Sequence, residues 1–189
     1  MLRIVAGRHR GRRLLAPPGE TTRPTAERVR QALFDMLWHA PWAGRESLDG
    51  ARVLDAFAGT GALGLEALSR GAAHATFIEP DRAALAALRR NIATLGEEDR
   101  ARVIPGDATR PPPAAAPFGL LLLDPPYGKD LVPRALAALH AGGWIAPGAL
   151  VVAEVAKADA LDAPGFGALA ERAHGAARVV FLKAVSHQA

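Results

Sequence analysis

With 189 residues, the chain has the length of one domain with a sheet-centred core and a short appendage. It contains no cysteine, which excludes disulfides, thiolate zinc sites and a cysteine nucleophile, and its six histidines lie scattered without ligand spacing, so no metal is expected. The net charge of +4 is unevenly spread: residues 1–30 hold eight Arg against two Glu, and the remainder holds fifteen Lys plus Arg against seventeen Asp plus Glu. The positive field at one end predicts a polyanionic partner met by that end. No apolar run nears the roughly 20 residues that cross a bilayer, and the basic N-terminus lacks the apolar core of a signal peptide. A cytoplasmic setting without a membrane partner is the expectation.

In chain order, Leu2–Ala6 and Arg12–Leu15 read as two short strands around a turn flanked by Gly7 and Gly11. Arg3, Arg8, Arg10, Arg12 and Arg13 crowd this hairpin without acidic sequence neighbours, which favours nucleic-acid contact over a merely solvated edge. After a break at Pro17-Pro18-Gly19, Thr22-Arg-Pro-Thr25 opens a helix to about Trp38. Its Val29, Leu33, Met36 and Leu37 recur at helical spacing as a docking face, and Arg23 and Arg28 add positive charge near its start. Residues 1–39 thus form a small basic extension, hairpin plus helix, for nucleic-acid contact, and 40–189 the main domain, with a linker from His39 to Gly50.

From Ala51 strands and helices alternate. Strands are predicted at 52–57, 74–79, 102–105, the leucine run ending at Leu123, and 150–155. Helices fall at 61–70, from an Asp81 cap to Gly96, and from about Asp130 to His140; Pro111–Pro117 is a low-complexity loop. The tail pairs 168–174 with 178–182 around Gly175 as an antiparallel hairpin. Repeated β-α units imply an α/β fold with a doubly wound, Rossmann-like parallel sheet.

Asp55-Ala-Phe57-Ala-Gly59-Thr60-Gly61-Ala-Leu-Gly64 contains a literal G-x-G-x-x-G, and Glu79 ends the next strand twenty residues past Gly59. A dinucleotide fold shows the same spacing. Asp55, however, sets an anion where a pyrophosphate would be repelled. S-adenosylmethionine fits better: Asp55 suits its ammonium, helix-start amides near Gly61 its carboxylate, and Glu79 both ribose hydroxyls. Asp107, after the third strand, is placed to accept from the adenine amine. Phe57, Gly59, Thr60, Gly61, Gly64, Pro80 and Ala108 complete the candidate cofactor lining.

Phe118-Gly-Leu-Leu-Leu-Leu-Asp-Pro-Pro-Tyr127 reads as a strand buried on both faces, with Asp124 at its carboxyl end. Pro125 and Pro126 have no N–H, so the loop offers oxygen acceptors to a hydrogen-bond donor such as an exocyclic NH2, and Tyr127, the only tyrosine, can lie against a planar ring. A rigid strand exit with a solvated Asp is the plainer alternative.

Taken together these motifs resemble the bacterial RsmD family. The likeness rests on the Arg3-Ile-Val-Ala-Gly7 opening with Arg12-Arg13-Leu14, on Arg23-Pro-Thr25 with Arg28-Val-Arg30, and on Asp55 to Gly64. Leu65-Glu-Ala-Leu-Ser-Arg-Gly71, Phe77-Ile-Glu79 and Asp124-Pro-Pro-Tyr127 extend it. The tail departs from the pattern, reading His174-Gly175 where Tyr-Gly is expected. The resemblance implies a class I S-adenosylmethionine-dependent methyltransferase acting on N2 of a guanine in small-subunit (16S) ribosomal RNA; a monomer is the separate expectation. Asp124 to Tyr127 would then be catalytic. Asp-Pro-Pro-Tyr would also serve adenine N6 in DNA or RNA, or a glutamine amide, and the glycine loop alone leaves a dinucleotide oxidoreductase open.

Overall fold

The computed structural model describes residues 2–17 and 24–185. Helix α1 spans Pro24–His39, and strand β1 Arg52–Ala56 leads through a glycine turn into α2 Ala62–Ser69. Then follow β2 His74–Glu79, α3 Arg82–Leu95, β3 Ala101–Pro105 and β4 Phe118–Leu123. After α4 Leu131–Ala141 the chain ends in β5 Ile145–Ala156, β6 Phe166–His174 and β7 Ala177–Ala184. Among the described residues the strands form one sheet in the order β3-β2-β1-β4-β5-β7-β6. Pairing is parallel from β3 to β5, and the β6–β7 hairpin adds antiparallel strands at the edge.

The parallel strands are apolar on both faces because helices cover both. Val53, Leu120, Leu122 and Val152 pack with Leu33, Phe34 and Leu37 of α1, Leu65 and Leu68 of α2, and Leu88 of α3. Their strand neighbours Leu54, Leu121, Leu123 and Val151 turn the other way, onto Val132, Leu136 and Leu139 of α4. Local signals set the helix ends: Asp81 caps α3 by accepting the Ala84 amide at 2.8 Å, and Gly96 closes it with a φ of 67°.

The N-terminal segment departs from expectation. Its strands reduce to one antiparallel bridge, Arg3 with Arg13, flanked by backbone bonds between Ile4 and Arg12 and between Leu14 and Leu2. Leu2, Ile4 and Leu14 are buried in the same cluster as α1 and α2. The turn is bolted down: the Arg8 amide donates to the Ser69 carbonyl, and the Val5 and Ala6 amides donate to the Glu66 carboxylate at 2.8 and 2.9 Å. A Cβ on Gly7 would sit 2.0 Å from the Ser69 carbonyl oxygen, so only glycine permits this approach. Strand β5 also begins five residues earlier than its aliphatic run suggested.

Candidate active site

The strand order reverses direction between β1 and β4, which opens a crevice at their carboxyl ends. Residue Phe57, just past β1, has a φ of 78°, and its amide and that of Ala58 are held by the Ile78 carbonyl. A left-handed aromatic residue is strained and persists only where its surroundings enforce it, a pattern concentrated at ligand sites. Gly59 (φ 54°) and Gly61 (φ 84°) continue the turn, and a Cβ on Gly59 would enter open space. Gly64 has the opposite constraint: a Cβ there would lie 2.3 Å from the buried Phe77 ring.

Two acids bond to this turn, Asp55 and Glu79, and a third, Asp107, follows β3 further along the same sheet edge. Asp55 is buried, and its Oδ2 accepts the Gly64 amide at 2.8 Å. Burial pushes its carboxyl up to about 8, and the Asp124 and Glu79 carboxylates add to the rise. Glu79 is buried and accepts from the Gly59 amide through Oε2 and from the Asp81 amide through Oε1, each at 2.8 Å, which leaves each oxygen one further lone pair. Pro80 follows it on the rim. Asp107 takes the amide and hydroxyl of Thr109 on one oxygen, both at 2.8 Å, and these bonds hold its carboxyl below the usual carboxylate range. Its neighbour Ala108 is buried beneath.

Across the reversal, Asp124 opens to solvent at the mouth of the crevice, yet protein crowds its carboxylate closely. That loss of hydration, with the Glu154 carboxylate nearby, pushes it up to about 7. Beyond it, on the β5 side, Pro125, Pro126, Tyr127, Glu154 and Leu161 line a shallow groove that is open to solvent. Tyr127 is 48% exposed, and its hydroxyl donates to Glu154 Oε1. Partial burial and this carboxylate raise the phenol above its ordinary value.

The predicted basic residues divide. Arg3 donates to Glu27 at 3.1 Å, Arg8 to Glu97, and Arg12 to the Thr94 carbonyl at 2.7 Å, so acids and carbonyls distant in sequence supply partners that sequence neighbours do not. Arg10, Arg13 and Arg28 are exposed, and Arg23 lies outside the described residues.

Two residues of the site escaped the sequence reading. Glu154 ends the apolar run of β5, a lone carboxylate one step past the Leu123–Ala153 pair. Asn91 falls between Leu88 and Leu95 on the apolar stripe of α3. Its side chain donates to the Thr60 and Leu15 carbonyls, both at 3.0 Å, and accepts from the Leu15 amide at 2.7 Å, tying the N-terminal segment to the glycine turn. In both cases the signal was a polar residue where the pattern calls for an apolar one.

Among the described residues, no helix is long and apolar enough to cross a membrane, and no acid or histidine cluster is arranged to hold a metal.

A family model described as Conserved hypothetical protein 95 matches residues 2–183. The chain is 42% identical over 154 residues to the Escherichia coli K12 protein named ribosomal RNA small subunit methyltransferase D, covering 81% of this chain and 74% of that one. The Haemophilus influenzae protein of the same name is 36% identical over 167 residues, with 86% and 83% covered. Among solved structures, the Escherichia coli protein yhhF superposes with a TM-score of 0.84 at 35% identity, covering 98% of this chain and 99% of that one. The Thermus thermophilus 16S rRNA N2 G1207 methyltransferase, solved with AdoMet and guanosine, shares the fold at 20% identity and a TM-score of 0.65, covering 88% of this chain and 44% of that one.

Proposed function

The chain belongs to the RsmD family of ribosomal RNA small subunit methyltransferases, and we propose that it moves a methyl group from S-adenosylmethionine to the exocyclic N2 amine of a guanine in 16S ribosomal RNA. The relatives are methyltransferases, so the glycine loop does not mark a dinucleotide oxidoreductase. The observation that carries the reading is the parallel register of β1 and β4, Asp55 beside Leu122 and Ala56 beside Leu123, which brings Asp124 out of β4 at the same sheet edge where β1 enters the glycine turn.

The crevice suits the cofactor's charge distribution. Asp55 can face an ammonium, Glu79 can accept ribose hydroxyls on its remaining lone pairs, and the second oxygen of Asp107 can accept from the adenine amine. Phe57, Gly59, Thr60, Gly61 and Gly64 would shape the turn around the amino-acid end, with Pro80 and Ala108 beside the nucleoside. S-adenosylmethionine supplies a methyl already activated on a sulfonium, so no metal and no strong base are required of the protein.

The protein's task is then alignment. A guanine amine is a poor nucleophile because its lone pair is delocalised into the ring. Accepting one N–H on the Asp124 carboxylate and the other on the Pro125 carbonyl would favour a tetrahedral nitrogen with the lone pair aimed at the methyl. Transfer would form the N–C bond as the S–C bond breaks, releasing S-adenosylhomocysteine; the methylated nitrogen would be strongly acidic, and Asp124 or water could take its proton. Such positioning is worth roughly 7–11 kcal/mol. Tyr127 would stack on the displaced base, returning about 1–3 kcal/mol of the cost of unstacking it. The basic surface, including Arg10, Arg13 and Arg28, would meet the RNA backbone.

Labelled-methyl transfer to free 30S subunits, free 16S rRNA and duplex DNA, followed by nucleoside analysis, tests this. N2-methylguanosine from small-subunit RNA is expected; N6-methyladenosine would move the reading to an adenine acceptor.

A further inference from the structure

Strands β4 and β5 are paired in parallel through Leu123 and Ala153, so Asp124, the first residue past β4, comes beside Glu154, which is still within β5 and paired with Val179 of β7. Glu154 touches more than its neighbour. One oxygen accepts the Tyr127 hydroxyl, and the other lies 3.4 Å from Nε2 of His174, at the end of β6. Tyr127 is therefore tethered at its oxygen while about half of the residue stays open to solvent beside the groove. An untethered surface tyrosine turns about two side-chain torsions, and a receptor must freeze both each time a ligand stacks on it. A hydrogen bond to a carboxylate is among the stronger ones available and removes much of that freedom in advance.

We propose that Glu154 is a positioning residue for the methyl acceptor, holding the Tyr127 ring beside Asp124 through its hydroxyl. This rests on the reading that Asp124 and Tyr127 receive the base. The ionisable groups facing Glu154 are Asp124, Tyr127 and His174, and Lys129, Asp130 and Asp159 line the same groove. Arg178 on β7 is directed to Glu171 and to the Asp159 carbonyl instead. Glu154 acts on the reaction in two separable ways: it orders the ring, and its charge raises the Asp124 carboxyl.

The two effects separate in a mutant cycle read by steady-state methyl transfer to 30S subunits and to 16S rRNA. Tyr127→Phe and Glu154→Ala should each raise KM for RNA by about tenfold, the loss expected for a hydrogen bond to a charged group. S-adenosylhomocysteine affinity and Tm should stay unchanged. The double variant should lose no more than either single one, because both remove the same bond. Glu154→Gln keeps an acceptor for the hydroxyl and should restore most of KM, while the rising limb of kcat/KM shifts to lower pH as the negative neighbour of Asp124 disappears. Additive losses, a Glu154→Ala enzyme with wild-type kinetics, or losses that track Tm or cofactor affinity would each overturn the proposal. Asp124→Ala separates the two levels: if it retains turnover, the reading of the acceptor site fails, whereas an inactive Asp124→Ala beside an additive cycle sinks the role of Glu154 alone.

Discussion

The Asp55 carboxylate accepts the Gly64 amide at 2.8 Å, joining the end of β1 to the first turn of α2 beneath the glycine loop. The bond fixes the helix start, and it also keeps an acid buried where its charge is costly. Both consequences can be measured.

Burial raises Asp55 to about 8, so in the free protein it is largely neutral at pH 7. The sign follows from proton counting: the native state holds this proton longer than the unfolded chain, so stability falls as pH climbs from the ordinary carboxylate range towards about 8. A bound ammonium would ionise Asp55. S-adenosylhomocysteine should then bind with release of up to about one proton below pH 8, tighten by up to about tenfold per pH unit, and flatten the pH dependence of Tm. Calorimetry in buffers of different ionisation enthalpy reads the proton; zero release at pH 7 would separate Asp55 from the ammonium.

Gly64→Ala places a methyl against the Phe77 ring, which is wholly buried and has nowhere to turn. Overpacking of this kind costs about 1–3 kcal/mol. For a chain of this size, Tm should drop by roughly 3–10 °C, and cofactor affinity should weaken with it because the Asp55 bond is strained. Gly59→Ala meets no atom within 4 Å and should be milder in stability, despite its positive φ.

Glu66 is fully buried and accepts from the Val5 and Ala6 amides and from Arg70 Nε at 2.8 Å, with Arg30 Nε at 3.5 Å. Glu66→Ala would leave two amides and two guanidinium groups short of a partner. A loss of about 3–5 kcal/mol is expected in denaturant unfolding. A loss below about 1 kcal/mol would mean that the N-terminal segment does not depend on this anchor.

How much of this was legible in the chain differs by element. The Asp81 cap, the Gly96 stop and the four leucines of β4 declared their elements because each signal is local. That Asp55, Glu79, Asp107 and Asp124 share one sheet edge could be read for the same reason, since a parallel sheet puts successive strand ends along one edge. The docking of the hairpin could not be read. Its partners Glu66, Ser69 and Glu97 lie 60 or more residues away, and the sequence shows only that the arginines lack acidic neighbours nearby. The strained φ of Phe57 was equally hidden, because Ile78 enforces it across the sheet.

That docking sharpens the prediction for RNA binding. Arg10→Ala with Arg13→Ala should reduce the salt slope of binding by about 0.7–0.9 for each phosphate the protein no longer neutralises, with folding unchanged. Arg8→Ala removes a partner of the buried Glu97 and should lower Tm as well. An unchanged slope in the first variant would make the hairpin a solvated edge.

The most direct test of the central claim is Asp124→Ala assayed for both cofactor binding and turnover. S-adenosylhomocysteine affinity should stay within a few-fold of wild type, while kcat on small-subunit RNA falls by about 10²–10⁴, the range for losing a positioned proton acceptor. Turnover within a few-fold of wild type would contradict an amine held at Asp124.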